Sequence, residues 1–364
     1  MHRCLELARM GIGNVAPNPM VGSVLVYQDR IIGEGYHMIY GQAHAEVNCI
    51  NSVKEADRHL IPQSTLYVSL EPCAHYGKTP PCADLIVKMK IPRVVVGCRD
   101  PFVQVDGKGI ERLIANGIDV KLGVLESACI ELNKRFFTFH TLHRPYVLLK
   151  WAQTMDGKMA SAVPEDSFLS QGEAKQNRLL ISNTYSNRLV HQWRSEEMAI
   201  MVGTNTALAD DPELTARLWP GNNPVRLVVD LNLRLPASLK LFDGSVPTII
   251  FNLLQHTLPL EKISATDLRT IGKAYYQVTE DVSLVHQIMN ALVSMNILSV
   301  MVEGGARLLQ SFIEEDIWDE ARVITNEDLY IGEGLPVPVL KDVRLESAET
   351  IFSDRISLYG HQYQ

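Results

Sequence analysis

The sequence predicts two α/β domains in series, and three observations carry that prediction. Its 364 residues exceed the roughly 100–200 of one ordinary domain. Short apolar strands alternate with helical stretches through both halves, which is the pattern of layered α/β proteins. Between 130 and 145 an aromatic-rich stretch, Arg135–His140, leads to His143-Arg144-Pro145 before a new apolar strand opens at Tyr146. The boundary is therefore placed at 143, giving domains over 1–143 and 144–364.

The elements follow in order. Residues 1–13 carry apolar residues at helical spacing (Leu5, Leu7, Ala8 and Ile12) and end in glycines. Strands over 21–27 and 31–35 flank a tight turn at Gln28-Asp29-Arg30. A helix is expected from His44 to about Val53, a strand over 65–70, and a helix over 83–89. A strand at 93–97, a helix at 109–116 and a strand at 120–124 complete the first half. The second half is read as strands near 146–152, 198–203, 225–230, 247–251 and 297–302, with helices around 182–194 and 305–314. Residues 254–290 offer no functional signal.

Composition narrows the function. With 46% hydrophobic and 21% charged residues, the chain is an ordinary globular one. A net charge of −8 argues against a broad nucleic-acid-binding surface. Six cysteines in a chain this long are too sparse for a disulfide framework. No apolar run reaches the roughly 20 residues of a membrane span, and the amphipathic start has no signal-peptide core. A cytoplasmic protein without a membrane partner is the expectation.

The chemistry-bearing signal is His44-Ala45-Glu46, then Glu71-Pro72-Cys73 after a strand, then Cys82. Zinc prefers nitrogen and thiolate ligands, and a catalytic site leaves one tetrahedral position for water. His44, Cys73 and Cys82 supply three ligands. Glu46, two residues beyond the histidine, is expected to shuttle protons from water to departing ammonia without being a ligand. His-x-Glu with Pro-Cys is the signature of zinc nucleobase deaminases. There two residues separate the cysteines; here eight do. A structural zinc would ordinarily show a fourth protein ligand, for which His75 is the candidate.

That longer spacing, Pro72-Cys73-Ala74-His75-Tyr76-Gly77-Lys78-Thr79-Pro80-Pro81-Cys82, resembles the bifunctional deaminase/reductase family of riboflavin biosynthesis. Ala16-Pro17-Asn18-Pro19-Met20-Val21-Gly22, Gly35-Tyr36-His37, Asp100-Pro101 and Gly107-Lys108-Gly109 reinforce the match, which covers nearly the whole chain. The resemblance implies a cytidine-deaminase-like α/β/α domain followed by a dihydrofolate-reductase-like α/β domain. It implies one zinc ion per chain, NADPH, and a small pyrimidine ribonucleotide substrate. That substrate, 2,5-diamino-6-(5-phosphoribosylamino)pyrimidin-4-one, would be deaminated and its ribosyl chain then reduced to ribityl. By the same match Asn18, His37, His75 and Lys78 would surround the pyrimidine and its sugar phosphate. Two positions depart from the family pattern: Phe102 stands where the family often has asparagine, and Leu180 where it often has tryptophan.

In the second half, Lys150–Lys158, Gly203–Pro212 and Glu303-Gly304-Gly305 resemble the family's reductase domain. The resemblance implies that Thr206, Asp210, Asn232, Gly305, Ala306 and Arg307 contact NADPH. It implies that Arg188, Leu214, Arg217 and Glu303 hold the ribosyl substrate; guanidinium forks suit its phosphate. Glycines opening a helix also let backbone N–H groups approach a phosphate. Lys150 and Asp156 lie near this site without an assigned role. Two other readings stand beside this one: a deaminase of nucleic-acid bases with an accessory domain, and a binding protein built on the same folds. A homo-oligomer is expected.

Overall fold

The computed structural model describes residues 1–76, 80–161, 179–257 and 270–362. The chain divides into two compact units, Met1–His143 and Arg144–Gln364.

The first unit opens with α1 (His2–Arg9) and the hairpin of β1 (Gly22–Tyr27) and β2 (Arg30–Tyr36). Gln28 takes φ 53° in its turn. Then come α2 (Ala45–Asn51), β3 (Thr65–Leu70), α3 (Cys82–Lys88), β4 (Arg93–Cys98), α4 (Lys108–Ala115), β5 (Asp119–Leu122), α5 (Glu126–Leu132) and α6 (Lys134–Leu142). The sheet order is β2-β1-β3-β4-β5, antiparallel on the β2 side and parallel from β3 to β5. Side chains alternate across a pleated strand, and this sets the layers. Leu25, Leu66, Val68, Val94 and Val96 pack with Cys49 and Ile50 of α2, Ala83 and Ile86 of α3, and Leu113 of α4. On the other face Val24 and Tyr67 meet Cys4 and Leu7 of α1, and Leu5 meets Cys129 of α5. The result is the expected α/β/α sandwich.

The second unit runs β6 (Tyr146–Thr154), β7 (Lys158–Ser161), α7 (Thr184–Glu196), β8 (Ala199–Gly203), α8 (Thr204–Asp210), β9 (Val225–Val229), β10 (Thr248–Asn252) and β11 (Lys273–Gln277). It continues with α9 (Leu284–Ser294), β12 (Ser299–Glu303), α10 (Ala306–Glu314), β13 (Glu320–Asn326), β14 (Gly334–Pro336), β15 (Val343–Ile351) and β16 (Asp354–His361). Among the described residues nine strands form one sheet in the order β11-β10-β9-β8-β12-β6-β13-β16-β15. Pairing is parallel from β11 to β13 and antiparallel through β16 and β15. Val147, Leu149, Val300 and Val302 face α9, α10 and the fully buried Trp318. Leu148, Ile200 and Met301 face Val190 and Trp193 of α7. The helix α7 begins at 184 because Asn183 caps it, its side chain accepting from the N–H groups of Tyr185 and Ser186.

Candidate active sites

In the first unit α2 starts immediately after His44, whose backbone is extended at φ −73° and ψ 167°. Cys73 follows the end of β3, and Cys82 is the first residue of α3. His44 Nδ1 lies 3.6 Å from Cys73 Sγ and 3.5 Å from Cys82 Sγ, and the three ligand atoms lie within 4.8 Å of one another. Zinc bonds of about 2.3 Å to sulfur and about 2.05 Å to nitrogen at the tetrahedral angle require a sulfur–nitrogen separation of about 3.6 Å. The donor set therefore fits zinc with three protein ligands. Among the described residues this is the one cluster of three or more potential ligands.

The electrostatics favour a metal-ready state. The Cys82 thiol donating to Cys73, with His44 and the Cys82 N–H adding to it, holds the Cys73 thiol down at about 4 against the opposing effect of burial. Its hydrogen bond to Cys73 raises His44 above the ordinary histidine value. Glu46, in the first turn of α2, is 3% exposed. Burial, and then the charge of Cys73, push its carboxyl upward, so it holds a proton more readily than a free carboxyl does.

Asn18 and His37 come together beside this cluster. His37 Nδ1 lies 3.0 Å from the Ala43 carbonyl, and its Nε2 lies 3.1 Å from Asn18 Nδ2. The network therefore assigns the proton to Nδ1 and leaves Nε2 as acceptor. Burial lowers His37 further from protonation, and its ring stands edge-on to His44 at 5.4 Å. His75 has a buried Nδ1 without a hydrogen-bond partner among the described residues. It lines an open cavity of about 470 Å³ with Ala74, Gln104, Lys108 and Arg112. Phe102 lies between His75 (6.1 Å) and His140 (5.0 Å), so this wall is aromatic where the family pattern has an amide. Lys78 lies outside the described residues.

Sequence reasoning passed over Glu71 except as part of a motif. It is 4% exposed and accepts four backbone N–H bonds: Asp100 (3.3 Å) and Gly107 (3.0 Å) on Oε2, Gly109 (2.9 Å) and Ile110 (3.2 Å) on Oε1. Three of these donors are the otherwise unpaired N–H groups at the start of α4. A Cβ on Gly109 would sit 1.9 Å from the Pro72 carbonyl oxygen, so only glycine permits this approach.

In the second unit Thr206, Asp210, Asn232, Glu303 and the Gly305–Arg307 turn follow the carboxyl ends of the parallel strands β8, β9 and β12, where α/β sheets open a crevice; Arg188 lies within α7. Thr206, in α8 after β8, packs against the turn after β12. Cβ atoms on Gly304 and Gly305 would meet its Cγ2 at 3.1 Å and its Oγ1 at 3.3 Å. Both glycines have positive φ, 97° and 75°, and α10 begins at Ala306 with Arg307 exposed in its first turn. This bare, Cβ-free backbone at a helix start suits an anionic group such as a dinucleotide phosphate. Asp210 ends α8, and Asn232 is exposed in the turn after β9. Thr204 Oγ1 donates to the Val229 carbonyl at 2.7 Å, tying these two strand ends together.

Glu303 ends β12, 8% exposed. Burial alone would raise its carboxyl; the charges of Arg194 and Lys150 outweigh that and hold it down at about 2. Arg194 grips both oxygens at 2.7 Å and also donates to the Thr215 carbonyl. Lys150 Nζ is 3.9 Å away. The arginine brought to Glu303 is thus Arg194, which the sequence reading did not select. Arg188 is exposed, 5.3 Å above the ring of Trp219. Leu214 is buried at φ 50°. Arg217 is half exposed, paired with Glu213 at 3.4 Å and donating to Thr215 Oγ1. Leu180 is 73% exposed. Asp156 accepts from Thr154 Oγ1 and from the backbone N–H groups of Ile331 and Gly332, which pins the turn after β6.

Comparison with known proteins finds relatives for both units. Residues 1–98 match the cytidine and deoxycytidylate deaminase zinc-binding region. Residues 145–342 match the RibD C-terminal domain. The chain is 38% identical over 362 residues to a riboflavin biosynthesis protein RibD of Aquifex aeolicus, covering 99% of this chain and 95% of that one. It is 39% identical to the protein of that name from Bacillus amyloliquefaciens, over 88% of this chain and 81% of the relative. Among solved structures, a diaminohydroxyphosphoribosylaminopyrimidine deaminase/5-amino-6-(5-phosphoribosylamino)uracil reductase from Thermotoga maritima superposes with a TM-score of 0.84. It is 33% identical, covering 100% of this chain and 97% of that one. RibD of Acinetobacter baumannii gives 0.83 at 28% identity, covering 100% and 98%.

Proposed function

The chain belongs to the family of riboflavin biosynthesis protein RibD, and from that membership we propose that it is a bifunctional enzyme. Its first unit hydrolytically deaminates 2,5-diamino-6-(5-phosphoribosylamino)pyrimidin-4-one. Its second unit reduces the ribosyl chain of the product, using NADPH, to give 5-amino-6-(5-phosphoribitylamino)uracil. The observation that carries the reading is the His44, Cys73 and Cys82 donor set at zinc spacing with the buried carboxyl of Glu46 beside it.

Zinc held by these three residues would supply the Lewis acidity that makes water nucleophilic near neutral pH. The chain's own part is positioning and proton movement. The Glu46 carboxylate accepts the proton given up by the attacking water and hands it from its carboxyl oxygen to the leaving amine nitrogen. His37, neutral and fixed by Ala43, holds the Asn18 amide, which would contact the base. With Asn18 and His37, His75 and Lys78 would surround the pyrimidine and its sugar phosphate.

In the second unit NADPH would supply two electrons for the sugar carbon. Thr206, Asp210, Asn232 and the Gly305-Ala306-Arg307 turn would hold the cofactor. Leu214, Arg217 and Glu303 would hold the ribosyl chain, and Arg194 keeps Glu303 ionised. Arg188 remains a candidate for the substrate phosphate, reached from its exposed position. The assembly is read as a homo-oligomer in solution, which sedimentation analysis tests. Among the described residues no helix is long and apolar enough to cross a membrane.

The deciding experiment assays zinc in the purified protein and mixes it with the diaminopyrimidine nucleotide, first without and then with NADPH. Ammonia release without NADPH, followed by NADPH oxidation on its addition, is the expected sequence. Absence of ammonia release by zinc-loaded protein overturns the deaminase reading; ammonia without oxidation overturns the reductase reading.

A further inference from the structure

The two cysteines of the zinc site are separated by eight residues, so chain connectivity alone fixes their spacing weakly. Something else must hold them at ligand distance. The structure places α4 against both. Its N-terminal N–H groups bind the carboxylate of Glu71, two residues before Cys73. One turn along α4, Arg112 Nη1 donates to the carbonyl of Ala74, one residue after Cys73, at 3.1 Å. The loop bearing Cys73 is thus gripped on both sides. The same Arg112 reaches Asp84 at 2.6 Å through Nε, and Asp84 lies two residues after Cys82 in the first turn of α3. Between these anchors the backbone closes directly, with Ala83 N–H donating to the Cys73 carbonyl at 3.1 Å and Cys82 N–H to Cys73 Sγ at 3.3 Å.

We propose that Glu71 and Arg112, acting through α4, are positioning residues that set the separation of Cys73 and Cys82 and so govern retention of the metal. Neither is a ligand. The guanidinium is suited to the task because one fork serves two acceptors on different segments, Ala74 and Asp84, which a lysine cannot match. Glu71 is suited because a carboxylate accepts four N–H bonds without offering a donor. A glutamine amide would turn one NH2 against two of those N–H groups.

The inference rests on the zinc reading above, and the test separates the two. Full-length wild type, Arg112→Met, Arg112→Lys and Glu71→Gln are loaded with zinc, and release to a colorimetric chelator is timed. Cobalt-loaded samples report thiolate geometry through their visible spectra. Arg112 and Asp84 are partly exposed, 40% and 31%, so Arg112→Met removes little folding stability. NADPH oxidation with the deaminated nucleotide checks that the second unit is intact. Zinc release from Arg112→Met should be about tenfold faster than from wild type, the usual scale for losing a partner that orients a metal ligand. Arg112→Lys should fall between, and the cobalt bands of Glu71→Gln should shift. Release from Arg112→Met less than fivefold faster than wild type overturns the positioning role. A wild type that binds no zinc overturns the metal reading itself.

Discussion

Replacing Arg194 by methionine isolates the buried pair of the second unit. In the wild type Glu303 is held at about 2, against an ordinary 4.5. At about 1.36 kcal/mol per pH unit this is about 3 kcal/mol of stability at neutral pH, the net of burial opposing it and of Arg194, with Lys150, favouring it. The sign follows from the direction. A depressed carboxylate contributes fully above 4.5, and the contribution is lost as pH falls from 4.5 through 2. Removing the arginine leaves a carboxylate that is 8% exposed with Lys150 3.9 Å away. Breaking a buried pair from one side costs about 3–5 kcal/mol, in line with the linkage figure. The assay is convenient because all four tryptophans (Trp151, Trp193, Trp219 and Trp318) lie in the second unit. Urea unfolding followed by tryptophan fluorescence therefore reports that unit alone. Arg194→Met should lose about 3 kcal/mol at pH 7 and progressively less toward pH 3, where Glu303 can take a proton. A loss below about 1 kcal/mol at pH 7, or one that does not shrink with pH, would refute the reasoning.

Three other outcomes are expected. Glu46→Gln should lower ammonia release by about 10²–10⁴-fold while zinc content and NADPH oxidation with the deaminated nucleotide stay unchanged; an ammonia assay and metal analysis decide it. Gly305→Val places a branched side chain at φ 75°, 3.3 Å from Thr206 Oγ1 at its Cβ. It should raise the KM for NADPH at least about tenfold with deamination unaffected, at a strain of about 1–3 kcal/mol. Asp100, whose carboxyl burial pushes up to about 7 from 3.8, makes its most favourable contribution below pH 3.8 and loses it as pH rises through 7. Asp100→Asn should therefore stabilise the first unit above pH 7, by up to about 4 kcal/mol, and show no gain near pH 4 by scanning calorimetry.

What could be read from the sequence follows from how local each signal is. The zinc set was legible because a histidine at a helix start, a glutamate two residues on, and a cysteine after a strand form a short pattern with one chemical meaning. The strands β1, β3, β4, β6, β8 and β12 were legible because their apolar runs are continuous. β15 was not, since its residues are nearly all exposed and show no alternation; β13 and β16 went unread with it. The helix α9 lay in a stretch read as silent. Arg194 escaped because its partner Glu303 is 109 residues away and nothing near either residue announces the pair. Glu71 was noticed as a neighbour of Cys73, yet its four donors come from residues 100–110, visible only once α4 is folded against it.

The strand order of the second unit has a consequence for its synthesis. β6, the first strand of that unit to leave the ribosome, sits between β12 and β13, whose residues begin at 299 and 320. Its apolar run from Tyr146 to Trp151 therefore waits for well over a hundred further residues before either neighbour exists. Such long-range pairing is slow and leaves sticky surface exposed in the meantime. The first unit has no such delay: His44, Cys73, Cys82, Glu71 and Arg112 are all present once the chain has passed 112. The residues of the metal cluster and its supports are thus all synthesised before β6 begins, while β6 must wait for partners made far later.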